Sequence, residues 1–180
     1  MGGPVWVVDT SSIIEIRRYV PNAQRRQLFS RLSGLASEGR LKFPKQVIEE
    51  LRRAVSPDTQ DPLLEWTERV ESEACPTEPA YAKVSEVLGQ VPDILDPNKD
   101  SGADEADPYV LALAADLREQ GLDARIVTQE TKDSPRKTSL NTAAGVLGIP
   151  SVPLRGLLRA ESISENEERS ITSPGPADGQ

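Results

Sequence analysis

The chain has 180 residues, 37% of them hydrophobic and 28% charged, enough for one domain with a real core. It holds no histidine and one cysteine, Cys75, which excludes serine-histidine triads, histidine-ligated zinc and an internal disulfide, and fits a reducing, cytoplasmic compartment. The formal net charge of -8 argues against a nucleic-acid protein, and with no histidine any catalysis must rest on carboxylates, lysine, hydroxyls or a hard metal ion.

The first element is Val5-Trp6-Val7-Val8, a short run of strand-forming residues that suits a strand buried on both faces. Asp9-Thr10-Ser11-Ser12 stops it and can cap a following helix. An acid at the carboxyl end of a central parallel strand stands where open α/β sheets place their ligands. Ser12 and Glu15 have capping-box spacing for a helix from Ser12 to Val20, ended by Pro21. Asn22 can cap a second helix through about Glu38, closed by Gly39. Leu41-Lys42-Phe43 reads as a short strand stopped by Pro44, and Pro44 to Val55 as a third helix.

That third helix carries Glu49 and Glu50 beside Val47, Ile48, Leu51 and Ala54. At about 100° per residue Glu50 borders the apolar face and Glu49 points away, which singles out Glu50. The plainer reading of both is a pair of solvated glutamates. Ser56 to Asp61 is a turn cluster. Pro62 opens a helix through about Ala74, and another runs from about Ala80 to Gly89. Cys75 has no histidine or cysteine partner to activate it and reads as passive.

After a polar loop from Asp96 to Gly102, the stretch Ala103 to Ala114 is a helix with an acidic mouth and an apolar body. Pro108 suits the first helical position, which makes Asp107 the cap, and that capping role is the plain reading of Asp107. Asp104 lies three residues earlier and can share its side. Gly121 ends this helix. Ala124 to Val127 is a second buried strand, followed by Thr128-Gln129-Glu130, so the layout around Asp9 is repeated: strand, hydroxyl, acid. A helix between strands implies a right-handed crossover and a parallel sheet, with Asp9 and Glu130 at one carboxyl edge. An exposed loop acid is the plain reading of Glu130 alone.

Thr131 to Ser139 is a charged loop, and Asn141 caps a helix to Gly148. Ile149 to Val152 is a last short strand and Leu154 to about Ala160 a last helix. Residues 161–180 read as a disordered acidic tail on a domain of residues 1–160. Basic residues concentrate in the first third, in the pairs Arg17-Arg18, Arg25-Arg26 and Arg52-Arg53. Such a face can bind phosphate on an acidic protein, or can be ordinary solvated helix surface. No apolar run reaches the roughly 20 residues that span a bilayer, and the N-terminus lacks the basic flank and apolar stretch of a signal peptide.

Taken together, strand-Asp9-Thr10-Ser11, then Val47-x-x-Glu50-Leu51, then Asp107-Pro108-Tyr109-x-x-Ala112-Leu113-Ala114, then Val127-Thr128-x-Glu130 resemble the four motifs of PIN-domain proteins, the fold of VapC-type toxin ribonucleases. The likeness covers about residues 5–160 and is closest to a poorly characterised bacterial PIN-like branch with Asp-Pro-aromatic in the third motif and glutamate in the fourth. It implies an α/β fold, a three-layer α/β/α sandwich with a short parallel central sheet. It also implies a carboxylate-bound Mg²⁺ or Mn²⁺ and hydrolysis of RNA, sometimes DNA, leaving 5′-phosphate ends.

Carried over by position, the catalytic and metal-binding acids are Asp9, Glu50, Asp107 and Glu130. Thr10, Ser11, Asp104 and Thr128 support them, and Arg17, Arg18, Arg52 and Arg53 are candidates for contacts to the nucleic-acid backbone. An antitoxin partner, as in toxin–antitoxin pairs, and a homodimer are implied by the resemblance alone; a membrane partner is not. Two departures stand out. The fourth acid is glutamate where most of the family has aspartate, and the helical stretch from Asp61 to Gly89 is long for a minimal toxin.

Two other classes stay open. One is a PIN-like interaction module that keeps its acids as caps and has lost catalysis. The other is a different metal-dependent α/β enzyme, such as a phosphatase with Asp9 as nucleophile. Haloacid-dehalogenase-type phosphatases need a second aspartate where this chain has Ser11, and a receiver-like phosphoacceptor needs an acidic pair that is absent here.

Overall fold

The structure is a computed structural model that describes residues 2–56, 58–75, 80–97 and 105–163. Four parallel strands form one sheet: β1 (Val5–Val8), β2 (Leu41–Lys42), β3 (Ala124–Val127) and β4 (Ser151–Val152), in the order β2-β1-β3-β4. All four residues of β1 are buried, as expected of a central strand covered on both faces. Its register sets Trp6 beside Leu41 and Arg125, and Val8 beside Val127. Ile126 and Val127 continue the sheet to Ser151 and Val152.

From β1 the chain steps outward to β2 in one direction, then returns past β1 to β3 and β4 in the other. With right-handed crossovers the two directions put their helices on opposite faces, which gives the α/β/α sandwich. The first crossover holds α1 (Thr10–Tyr19) and α2 (Asn22–Ser37). The second holds α3 (Lys45–Ala54), α4 (Pro62–Arg69), α5 (Glu71–Ala74), α6 (Tyr81–Gln90) and α7 (Ala106–Glu119). α8 (Leu140–Val146) joins β3 to β4, and α9 (Leu154–Ala160) follows β4. α7 is the most buried helix because it lies on β1 and β3 and also packs against α3, α6 and α8. One continuous core runs from Val5 to Leu158, with Trp6, Phe43, Ile48, Leu111 and Ile126 among its largest fully enclosed side chains. Gly121, at φ +83°, makes the left-handed turn that ends α7 and feeds β3. No helix among the described residues is long and apolar enough to cross a membrane.

Several boundaries differ from the sequence reading. Asp9, not Ser12, caps α1: its carboxylate accepts the Ser12 amide at 2.8 Å, so the helix starts three residues earlier than a Ser12–Glu15 box requires. α7 begins at Ala106 with Glu105 in the cap position, which moves Asp107 from cap into the first turn. Ser139, whose Oγ accepts the Thr142 amide at 3.2 Å, caps α8 in place of Asn141. The helix expected from Pro62 to Ala74 breaks at Val70 into α4 and α5. Cys75 is half-buried and its Sγ lies 2.7 Å from the Phe43 carbonyl, a packing role.

Glu161, expected in the acidic tail, is part of the domain. The Glu161 carboxylate accepts a 2.7 Å hydrogen bond from the Trp6 indole and pairs with Arg40, and so closes the C-terminal end of the domain onto β1. A glutamate expected in a disordered tail is thus held against a buried tryptophan, and Ile163 packs on the core beyond it. The rest of the expected tail, 164–180, lies outside the described residues.

Candidate active site

The reversal of strand order falls between β1 and β3, and both strands end there in the sequences that carry acids. Open α/β sheets bind ligands in the crevice at such a switch point, outside the carboxyl ends of the strands. Asp9 is 2% exposed there. Its Oδ1 accepts the Ser12 amide, and its Oδ2 accepts the Thr128 hydroxyl at 2.6 Å and the Ser11 hydroxyl at 2.7 Å. Burial pushes its carboxyl up to about 6, against the opposing pull of the Thr128 and Ser11 hydroxyls and the Ser12 amide.

Thr128 and Ser11 stitch the two strand ends together. Thr128 Oγ1 donates to Asp9 and accepts the Glu130 amide at 3.0 Å, and Ser11 Oγ donates to Asp9 and accepts the Gln129 amide at 3.0 Å. Gln129 in turn accepts the Leu154 amide through its side chain, which ties the loop after β3 to the start of α9.

Glu50 reaches the same place from α3. Its Oε2 accepts the Thr10 hydroxyl at 2.5 Å and its Oε1 accepts the Ala106 amide at 3.0 Å, so one carboxylate joins the residue after Asp9 to the residue before Asp107. Glu105 makes no side-chain cap bond to α7, and Glu50 serves one of the helix's free amides from outside. Choosing Glu50 over Glu49 from the helical wheel agrees with this placement. Thr10 acts on Glu50 and not on Asp9.

The third and fourth acids meet at a lysine. Lys137 Nζ stands 2.7 Å from Asp107 Oδ2, 3.6 Å from Glu130 Oε2 and 4.0 Å from Glu105 Oε2. Burial raises the Glu130 carboxyl, and the Asp107 charge raises it further against Lys137. Burial lowers Lys137, but the Asp107, Glu130 and Glu105 carboxylates outweigh it and hold the ammonium raised. Beside this cluster, Gln129, Glu130, Lys132, Ser134, Lys137 and Ser139 line an open pocket of about 350 Å³.

Lys137 and Glu105 are the members of this cluster that the motifs do not mark. Lys137 is one basic residue in a charged loop, and nothing in its spacing distinguishes it from Lys132 or Arg136. Glu105 sits two residues before Asp107 and could have been suspected on that spacing. Asp104, placed beside Asp107 on the same grounds, lies outside the described residues.

The four arginines chosen for backbone contacts have partners of another kind. Arg17 pairs with Asp61, the N-cap of α4, and Arg52 pairs with Glu68 at 2.9 Å, so these two fasten α4 to α1 and α3. Arg18 lies 3.5 Å from Glu15, and Arg53 donates to the Glu49 carbonyl. None of these contacts involves the acid cluster.

As the side chains stand, no three acidic, cysteine or histidine groups among the described residues converge to enclose an ion. Asp9 is turned to its hydroxyls, Glu50 to Thr10 and Ala106, and Asp107 and Glu130 to Lys137. The donor set is still oxygen alone, carboxylate in kind, which suits a hard divalent cation and no soft one. Two of its members, Asp9 and Glu130, are carboxyls that burial makes costly to ionise, the condition that a nearby cation relieves.

A family model described as a domain of unknown function (DUF4411) matches residues 6–164, from β1 through α9, and the chain belongs to that family. No curated protein matches the chain.

Proposed function

We propose that this chain is a Mg²⁺- or Mn²⁺-dependent nuclease that hydrolyses phosphodiester bonds in RNA, with the ion held by Asp9, Glu50, Asp107 and Glu130. One observation carries the reading. Four acids from four separated segments are brought to the switch point of the sheet, Asp9 held by Ser11 and Thr128 and Glu50 by Thr10 and the Ala106 amide, and a cation, the Lys137 ammonium, is already drawn to the other two, Asp107 and Glu130. The PIN-like order of the motifs agrees with it.

In this reading the residues divide by contact. Ser11, Thr128 and the Ser12 amide hold both oxygens of Asp9 in place. Glu50 keeps α3, the Asp9 loop and the start of α7 in one geometry. The pocket lined by Lys132, Ser134 and Lys137 gives a phosphate both charge and hydroxyl donors. A divalent ion, when bound, supplies a water activated near neutral pH and charge that offsets what develops on the phosphate. An antitoxin partner and a homodimer belong to the same proposal and rest on the resemblance alone.

A second reading has its own observation. Lys137 already neutralises part of the cluster, which is what a PIN-like interaction module without catalysis would keep. A cleavage assay on a mixed structured RNA with Mg²⁺, Mn²⁺ or EDTA, run beside Asp9→Asn, separates the two. The nuclease reading expects metal-dependent cutting that is lost in EDTA and in the variant. Absence of cutting, with no thermal stabilisation by Mn²⁺, would leave the interaction module.

A further inference from the structure

We infer that Lys137 is a tethered counter-cation that holds the acid cluster together without metal and must be displaced for a divalent ion to enter; this rests on the metal-site reading above. The geometry is specific. One ammonium touches or approaches carboxylates from both sides of the crevice, Glu105 and Asp107 at the mouth of α7 and Glu130 after β3. It bears one charge against three, so the cluster keeps an excess of negative charge that a second cation would seek.

Ammonium and divalent ion cannot share the place. An ion bound through Asp107 Oδ2 would sit about 2.1 Å from the oxygen that Lys137 Nζ now holds at 2.7 Å, which puts two cations within about 5 Å of each other. Binding of one therefore opposes binding of the other.

Lys137 is also built to move without moving the backbone. It ends a tight turn in which Ser134 N–H donates to the Lys137 carbonyl at 2.9 Å and Lys137 N–H donates to Ser134 Oγ at 2.9 Å. The next two residues are anchored as well, Thr138 N–H on the Asp93 carbonyl and Ser139 N–H on Asp133 Oδ1. None of these bonds depends on the ammonium. The four-carbon stem can swing the charge out of the acids into the open pocket of about 350 Å³ that Lys137 itself lines. The loop thus carries an autoinhibitory contact whose release is set by the concentration of divalent ion.

The test is Mn²⁺ binding to the full chain, followed by calorimetry and by the loss of the free Mn²⁺ spin-resonance signal, at low salt and neutral pH. Lys137→Gln removes the charge, Lys137→Arg keeps it, and Lys137→Met is the neutral alternative if Gln fails to fold. Expected are roughly tenfold tighter binding in the neutral variant and wild-type or weaker binding in Lys137→Arg. Without Mn²⁺ the neutral variant should unfold at lower urea than wild type, and saturating Mn²⁺ should close that gap. Equal or weaker binding in the neutral variant would overturn the inference and leave the metal site standing. Binding to none of the proteins would remove the metal site, and the inference with it.

Discussion

Replacing Asp9 by Asn should make the protein less sensitive to rising pH, and the size of the effect follows from the burial of one carboxyl. Asp9 titrates near 3.8 as an unperturbed group and near 6 in the fold. Below 3.8 both states are protonated and burial costs nothing through this group. Between 3.8 and 6 the unfolded chain has lost the proton and the folded chain keeps it, so stability falls as pH rises. Above 6 the loss is complete, about 3 kcal/mol at roughly 1.4 kcal/mol per pH unit. This is a large share of the roughly 5–15 kcal/mol that stabilises a domain.

Asn has no such titration. It pays instead a pH-independent cost, because its amide donates where the carboxylate accepted from both Thr128 and Ser11; that is about 1–3 kcal/mol. Urea unfolding of both proteins from pH 3.5 to 7.5, taken as the difference at each pH, cancels every other titrating group to first order. The variant should gain on the wild type by about 3 kcal/mol across the series, most of it between pH 4 and 6. A flat difference, or a wild type that gains on the variant as pH rises, would refute the account of Asp9 as a carboxylate ionised against its surroundings.

Two further outcomes are expected. Thr128→Val removes the hydroxyl that bridges Asp9 and the Glu130 amide; urea midpoints should fall by an amount equivalent to about 1–3 kcal/mol, Thr128→Ser should recover most of it, and full stability in the valine variant would deny the bridge. Glu161→Ala should make the chain about 1–2 kcal/mol less stable, since it leaves the Trp6 indole without its acceptor and Arg40 with Glu38 alone. Trp6 emission should shift as its acceptor is lost, and identical melting of variant and wild type would show that Glu161 contributes nothing.

Much of the scaffold was legible because its signals are local. The apolar run Val5–Val8 could hardly be anything but a buried strand, and Ala124–Val127 begins and ends where its composition says. Pro21, Gly39 and Gly121 stop helices for reasons that belong to the residue itself. The wheel that set Glu50 on the border of an apolar face picked out the carboxylate that bonds the Thr10 hydroxyl and the Ala106 amide. Caps were less legible. Thr10, Ser11 and Ser12 all offer oxygens next to Asp9, and only the end of β1 decides which of them meets the first free amide.

By itself the sequence determined that strands alternate with helices, that no histidine chemistry is available, and that each of two central strands ends in a hydroxyl and an acid. These depend on residue type and near-neighbour spacing, so they survive without knowledge of the fold. Tertiary structure alone decided that β1 and β3 are neighbours with the order reversing between them, which turns two similar strand ends into one crevice. It also decided that Lys137 stands among Glu105, Asp107 and Glu130, and that Glu161 closes onto Trp6 across 155 positions of sequence. Charge attraction depends on distance in space, and in these places the chain's separation in sequence carries no trace of it.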